Sequence, residues 1–330
     1  MSSTRRTLIR TLAAALVLGT ALATGPATAQ SWPGKAITVV VSYPPGGDTD
    51  ALARVFADKL ATRVGQPVVV ENRAGASGTI GNAYVAKAAP DGYTLLFTPN
   101  TISIATLVLK SGTGASYDVL DGFTPIILAG TQSLFVVANA STGVTSMKDL
   151  VASVKAGRIG TYASPGSGSP MHILGELFNK SAGVKIAQVP YRGSGPAVVD
   201  MMGGHVPMMY TTLGPVAQYA ATGKVVVLAV ADPQRSPLQP NVPTLAEAGF
   251  KDAEVGAWQG FMGPKGVPAD VVKLLNGHLN EILKMPDVVA RMTTLATIAV
   301  GGDASAIGKV NAADHARYAR IIKEFGIQAE

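Results

Sequence analysis

A Val-rich run ending at Ser42 opens into Tyr43-Pro44-Pro45-Gly46-Gly47-Asp48-Thr49-Asp50, and the apolar spacing of a helix follows at once. Glycines let a backbone turn sharply and come close to a ligand. The first N–H groups of a helix lack intrahelical partners and sit at the positive end of its dipole, so this junction has the makings of an anion cradle. On that reading Gly46 and Gly47 both open the main chain to a ligand, and Gly47→Val should block the approach. The same residues also suit a plain strand–helix turn with Thr49 or Asp50 as its cap. The plan recurs further on, where residues 159–163 lead into Ser164-Pro165-Gly166-Ser167-Gly168-Ser169-Pro170 and a helix over 171–179. Pro170 suits a first helical turn, where its missing N–H is not needed. Two shorter junctions share the character: Asn72 to Gly78, with Gly75 or Ser77 near a helix start, and Val189 to Gly195, with Tyr191 and Arg192 at a strand end. Arg192 can pair a carboxylate bidentately or take part in a surface or interdomain ion pair.

Catalytic signatures are missing. The four histidines, His172, His205, His278 and His315, are scattered without zinc-ligand spacing. There is no G-x-S-x-G elbow, no Walker A lysine and no dinucleotide fingerprint. With no cysteine in the chain, disulfides and thiolate chemistry are excluded. No cofactor, metal or catalytic group is therefore expected. A secreted hydrolase using Ser164, Ser167 or Ser169 is the rival reading, but His172, the one nearby histidine, is better suited to orienting the serine loop or to packing.

Arg5, Arg6 and Arg10 precede a small-residue apolar stretch at 11–23, and Ala27-Thr28-Ala29 has the form of a cleavage site. Residues 1–29 thus read as a secretory signal peptide, and Arg5-Arg6 leaves twin-arginine export open beside the general route. Its removal takes away those three arginines and no acid, so the formal charge of +6 falls to +3. That small, dispersed surplus carries no nucleic-acid footprint. No later apolar run is long enough to cross a bilayer, so a soluble periplasmic protein is expected.

Short Val/Ile-rich runs bounded by Gly, Pro or Asn/Asp occur at 37–42, 68–71, 94–98, 126–129, 134–138, 159–163, 186–190, 225–231 and 258–263. Between them lie helical stripes such as Leu52, Val55, Phe56, Leu60 and Val64. Continuous apolar strands alternating with helices predict an α/β fold with a mainly parallel sheet. The end of the chain changes character, with three helices expected at 268–284, 286–297 and 304–325.

In order along the chain stand Trp32-Pro33-Gly34-Lys35, Pro44-Pro45-Gly46-Gly47 with Asp50 and Arg54, and Val70-Glu71-Asn72-Arg73 with Gly75 and Gly78. Pro90 to Leu96, Asp121 to Pro125, Ser164 to His172, Val189 to Gly193 and Pro243 to Gly249 follow. This ordered set resembles the Bug family, the solute-binding subunits of tripartite tricarboxylate transporters. The resemblance implies a two-lobed periplasmic-binding-protein fold, type II-like, with a ligand cleft between the lobes. Lobe 1 would comprise residues 30–130 and 251–330, and lobe 2 residues 131–250. It implies a small carboxylate ligand (a dicarboxylate, an amino acid or an aromatic acid) held largely by main-chain N–H groups and water. Contacts would come from Pro45, Gly46, Gly47, Thr49, Asp50, Gly75, Ser77, Gly78 and Thr98 in lobe 1. Those of lobe 2 would come from Ser164, Gly166, Gly168 and Ser169, with Tyr191, Arg192 and Asp200 nearby. Ser167, Pro170 and Pro207 depart from the family pattern and leave the far end of the ligand unspecified. A monomer is implied that hands its ligand to the membrane subunits of such a transporter, or presents it to a sensor.

Overall fold

In the computed structural model residues 32–109 and 116–328 are described. The segment read as a signal peptide, residues 1–29, lies outside them. Met1–Gly34 separate as a unit of their own, and the fold is that of the unit from Lys35 onward.

Strands β1 (Ile37–Val41), β2 (Val68–Asn72) and β3 (Thr94–Pro99) run parallel, joined by helices α1 (Asp48–Val64) and α2 (Thr79–Ala86). Leu52, Phe56 and Leu60 recur every four residues on α1 and are fully buried against this sheet. Gly65 ends the helix in the left-handed conformation. The chain then forms the short helix α3 (Ala105–Val108) and the long strand β4 (Phe123–Gln132). Only Ser133 separates β4 from β5 (Leu134–Asn139), yet β5 belongs to a different sheet. That second sheet is completed by β6 (Thr161–Ser164), β7 (Ala187–Pro190), β8 (Met208–Thr212) and β9 (Val225–Val230), in the order β7-β6-β8-β5-β9. Helices α4 (Met147–Lys155), α5 (Pro170–Ala182), α6 (Ser194–Met202) and α7 (Ala217–Ala221) connect its strands. The chain returns through β10 (Ala257–Pro264), α8 (Ala269–Ile282), α9 (Pro286–Thr294), β11 (Ile298–Ala299) and α10 (Ser305–Phe325). The first sheet is then six-stranded, in the order β11-β4-β10-β3-β1-β2.

Both sheets are mixed, where mainly parallel pairing was the expectation. β10 comes back between β3 and β4 and pairs antiparallel with both, while β5 pairs antiparallel with β8 and β9. The cause is the switch between sheets: a chain that leaves one sheet without a crossover helix, and re-enters it later, need not run parallel to its neighbours. Strand β8 is also absent from the apolar pattern. Met208-Met209-Tyr210-Thr211-Thr212 lacks Val and Ile and follows Gly203, Gly204 and Pro207, although all five of its residues are buried.

Phe56, Phe97 and Phe261 pack with ring centroids 4.7–5.8 Å apart under the first sheet. Tyr162 and Phe178 flank Tyr210 in the second, at centroid distances of 4.9 and 6.3 Å. Helix α10 serves both cores: Ile307 packs with Leu96, Leu128 and Met262, whereas Tyr318 and Ile322 pack with Leu134, Tyr210 and their neighbours. Ile104 and Val108, beside the first sheet in sequence, likewise join the second core.

Candidate functional site

The loops at the carboxyl ends of β1, β2 and β3 meet those of β6 and β7, the place where open α/β sheets bind ligands. Gly46 has φ +90°, a conformation costly for any residue with a Cβ, whereas Gly47 has φ −80° and makes no such demand. The expectation for Gly47 is thereby corrected: the turn needs glycine at 46, and a side chain at 47 could interfere only with a ligand. Gly47 is the N-cap, not Thr49 or Asp50, and no side chain caps α1.

Asp50 lies behind the loop. It accepts from the Gly46 N–H (3.0 Å), from Arg54 Nε (3.1 Å) and Nη2 (2.9 Å), and from Asn72 Nδ2 (2.8 Å). Burial raises its pKa, but these donors outweigh burial and leave the carboxyl below its ordinary value. The Gly46 N–H is therefore engaged internally, and Asp50 holds the loop in shape. Asp48 faces the other way. Its Oδ1 accepts from the Thr49 N–H (3.0 Å), and its Oδ2 from Gln132 Nε2 (3.2 Å) and Thr212 Oγ1 (2.9 Å). The Thr212 bond joins the two sheets across the cleft.

In the second loop the polar groups turn inward. Ser164 Oγ accepts from Gln188 Nε2 (2.6 Å), Ser167 Oγ donates to Gln188 Oε1 (3.2 Å), and Ser169 Oγ caps α5 by accepting from the His172 N–H (3.2 Å). His172 Nδ1 accepts the Gly168 N–H (3.1 Å), and burial pushes the imidazole down to about 4. None of the three serine hydroxyls bonds to its ring. Here the glycines are fixed by close approach: a Cβ on Gly166 would lie 2.9 Å from Ser77 Oγ, and one on Gly168 2.8 Å from Ala105 Cα.

Two cavities occupy the cleft. The inner one, of about 60 Å³, is lined by first-turn or N-cap residues of three helices: Gly47, Asp48 and Thr49 of α1, Pro170 and Met171 of α5, and Gly193, Ser194 and Gly195 of α6. The outer one, of about 300 Å³, lies between Gly75, Ser77 and Gly78 on one side and Gly166 and Tyr191 on the other. Tyr43, Pro44, Pro165, Arg192 and Gly193 border both. Burial pushes the Tyr43 hydroxyl above its ordinary range, so it stays protonated and able to donate.

Of the residues singled out from sequence, Pro45, Gly47, Thr49 and Arg192 line the inner cavity, and Gly75, Ser77, Gly78, Gly166, Tyr191 and Arg192 the outer. The others stand back from both walls. Gly46 and Asp50 bond to each other, Thr98 is buried in β3 and donates to Pro99 O (3.2 Å), and Ser164, Gly168 and Ser169 brace their own loop. Asp200 accepts the Tyr191 hydroxyl (2.7 Å); burial, then this carboxylate, raises Tyr191 to about 12. Asp48 lies within the stretch Pro45 to Asp50 read as a contact region, whereas sequence reasoning missed Asn100, Gln132, Thr212 and Gln259, all on the inner wall. For Gln259 a signal existed, since it is a lone amide in an apolar strand, and buried polar groups are held there by partners. Among the described residues no group of three His, Asp or Glu side chains could hold a metal ion. None of the described helices is long and apolar enough to cross a membrane.

Comparison with known proteins agrees with this architecture. The family described as "Tripartite tricarboxylate transporter family receptor" matches residues 52–327. BugT of Bordetella pertussis is 36% identical over 313 residues, which make up 94% of this chain and 95% of that protein. The structure of the periplasmic binding protein BugD superposes with a TM-score of 0.84 at 31% identity, covering 91% of this chain and 100% of the other. R. palustris Rpa4515 with adipate also gives 0.84, at 32% identity, covering 90% and 99%. With three helix N-termini converging from two sheets and relatives aligned along nearly its whole length, the chain belongs to the Bug-type receptors of the tripartite tricarboxylate transporter family.

Proposed function

We propose that this receptor captures a small carboxylate in the cleft and delivers it to the membrane subunits of a tripartite tricarboxylate transporter. The observation that carries the reading is the inner cavity, where three helices from both sheets present their N-terminal turns to one small space. Helix N-terminal dipoles there favour an anion, and a similar protein has been solved with adipate, a carboxylate. On this reading the lobes are 30–130 with 251–330 and 131–250, and they move about the places where the chain crosses between the sheets, near Ser133 and at the return into β10. A ligand touching both walls favours the closed state by its contacts there. Export by the leader at 1–29 puts the mature monomer in the periplasm. Binding proceeds without turnover, since the serines of the 164–169 loop are committed to Gln188 and to the cap of α5.

Thermal-shift screening of the secreted chain against carboxylates, followed by calorimetric titration of each hit, tests this. A true ligand at a hundredfold excess over its Kd should stabilise the protein by about 2.7 kcal/mol and be recovered chemically unchanged. A panel of carboxylates that leaves the melting curve unmoved, or a hydrolysed ligand, refutes the reading.

A further inference from the structure

Two carboxylates stand in the first turn of α1, and they are used differently. Asp50 is enclosed by Gly46, Arg54 and Asn72, all from the first-sheet side. Asp48 lines the inner cavity together with Gln132 and Thr212, and it bonds to both. Its Oδ2 accepts from Gln132 Nε2 (3.2 Å) at the end of β4 and from Thr212 Oγ1 (2.9 Å) at the end of β8. Its Oδ1 accepts from the Thr49 N–H (3.0 Å). Three of about four acceptor positions on the carboxylate are thus filled. One oxygen ties the two sheets together.

The partners on the first-sheet side hold this carboxylate in place. Gln132 Nε2 donates to Leu295 O (3.3 Å) as well as to Asp48, so its Oε1 accepts from Gln259 Nε2 (2.6 Å), and both amides are buried. Thr49 is the next residue of the same helix. Parting the sheets would leave these two bonds intact and break the third, from Thr212, whose side chain is buried where it meets Asp48. Other approaches across the cleft are packing contacts. A Cβ added to Gly166 would lie 2.9 Å from Ser77 Oγ, and one added to Gly193 3.5 Å from Pro44 Cδ. The walls touch, and the cleft is closed. Helix dipoles favour negative charge at this place, and Asp48 supplies it from within the chain.

We propose that Asp48 is a resident anion that keeps the ligand-free cleft closed, its carboxylate bridging α1 to Thr212 across the cavity. Capture of a ligand then exchanges one bridging group for another instead of closing an empty cleft, and an anion that bridges more weakly than Asp48 is kept out. This goes beyond the receptor reading above, and its test is made without ligand, so the two can fail separately.

Small-angle X-ray scattering of the secreted chain, confirmed free of small molecules by native mass spectrometry, tests the proposal. The wild-type curve should match the closed cleft. Thr212→Val keeps the shape of the side chain and removes the hydroxyl. It should lower the closed-to-open ratio about tenfold, the worth of one hydrogen bond to a charged group. A population of about ten closed to one open would then become about even, and the radius of gyration would rise. Asp48→Ala should act alike, and the double variant should open no further. A ligand-free wild-type chain that scatters as an open molecule overturns the inference. So does a Thr212→Val protein, folded by circular dichroism, whose curve is unchanged. A double variant more open than either single one overturns it too, since the two residues would then act apart. Should Asp48→Ala fail to fold, Thr212→Val leaves α1 as it is and decides alone.

Discussion

The loops over 42–50 and 164–170 share a plan of strand, Gly/Pro-rich turn and helix, but they use their polar side chains in opposite ways. In the second loop Ser169 caps α5, His172 receives the Gly168 N–H, and Ser164 and Ser167 clasp Gln188. Every polar side chain there serves the loop itself, and the cavity sees mainly prolines and main chain. In the first loop α1 has no side-chain cap, Asp50 does the internal bracing, and Asp48 is left at the cavity. One turn is closed upon itself and the other is open to a ligand. A Gly-rich strand–helix junction therefore indicates where a ligand can approach, while the side chain that keeps a spare valence indicates what it meets.

The largest effect should come from forcing the closed loop apart. Gly168 has φ +76°, and its Cβ would meet Ala105 Cα at 2.8 Å. Backbone cannot swing away as a side-chain tip can, so Gly168→Val combines left-handed strain with overpacking against α3. Destabilisation of about 2–4 kcal/mol is expected, read from the urea midpoint at constant m-value. Unchanged stability would mean that the second loop is not held by this contact.

Next is His172, which ties the closed loop to pH. Its folded pKa of about 4 lies below the ordinary 6.5 because burial disfavours the imidazolium. Between these values the unfolded chain binds more protons, so stability rises with pH across the window. The contribution is present above pH 6.5, is lost as pH falls, and is gone near pH 4, a change of about 3 kcal/mol. His172→Asn, which keeps an acceptor for the Gly168 N–H, should remove that share of the pH dependence. Denaturation curves at pH 7, 5.5 and 4.5 compare the two proteins, and parallel losses would assign the acid sensitivity elsewhere.

How much of this was legible beforehand follows from the kind of pattern each part leaves. The helix at 48–64 and the three C-terminal helices were legible because buried stripes such as Leu52, Phe56 and Leu60 repeat at helical spacing. β8 was not, because Met, Tyr and Thr in a central strand carry no alternation and no β-branched aliphatic run. The antiparallel return of β10 was hidden too, since strand direction depends on where the chain re-enters a sheet and not on local residues. In the site, glycine-rich loops announced themselves, but Gln132, Gln259, Asn100 and Thr212 come from distant segments. Only the fold brings them to one cavity wall, so no local spacing could have found Gln132, Asn100 or Thr212, and Gln259 left only the trace of a lone amide in an apolar strand. Asp50 misled for a related reason: its three donors, Gly46, Arg54 and Asn72, include one far along the chain, and without that partner it reads as a ligand contact.

The smallest effect separates two neighbours that sequence treats as one motif. Neither Gly46 nor Gly47 would place a Cβ within 4 Å of another atom, so packing does not distinguish them. Backbone conformation does: Gly46 is at φ +90° and Gly47 at φ −80°. Gly46→Ala should destabilise the folded chain by about 1 kcal/mol, since an L-residue there must accept a left-handed φ. Gly47→Ala should be neutral or slightly stabilising, because alanine narrows the unfolded ensemble and tolerates the native φ. The ordering of ligand affinity should invert. Gly46 lies off the cavity wall with its N–H given to Asp50, whereas a methyl group at 47 projects from a residue that lines the inner cavity. Thermal melts without ligand and calorimetric titrations with the ligand found by screening should thus rank the two variants in opposite orders. A single common ranking would mean that stability and binding are not divided between these two glycines, and that the open character of the first loop arises further along, at Asp48.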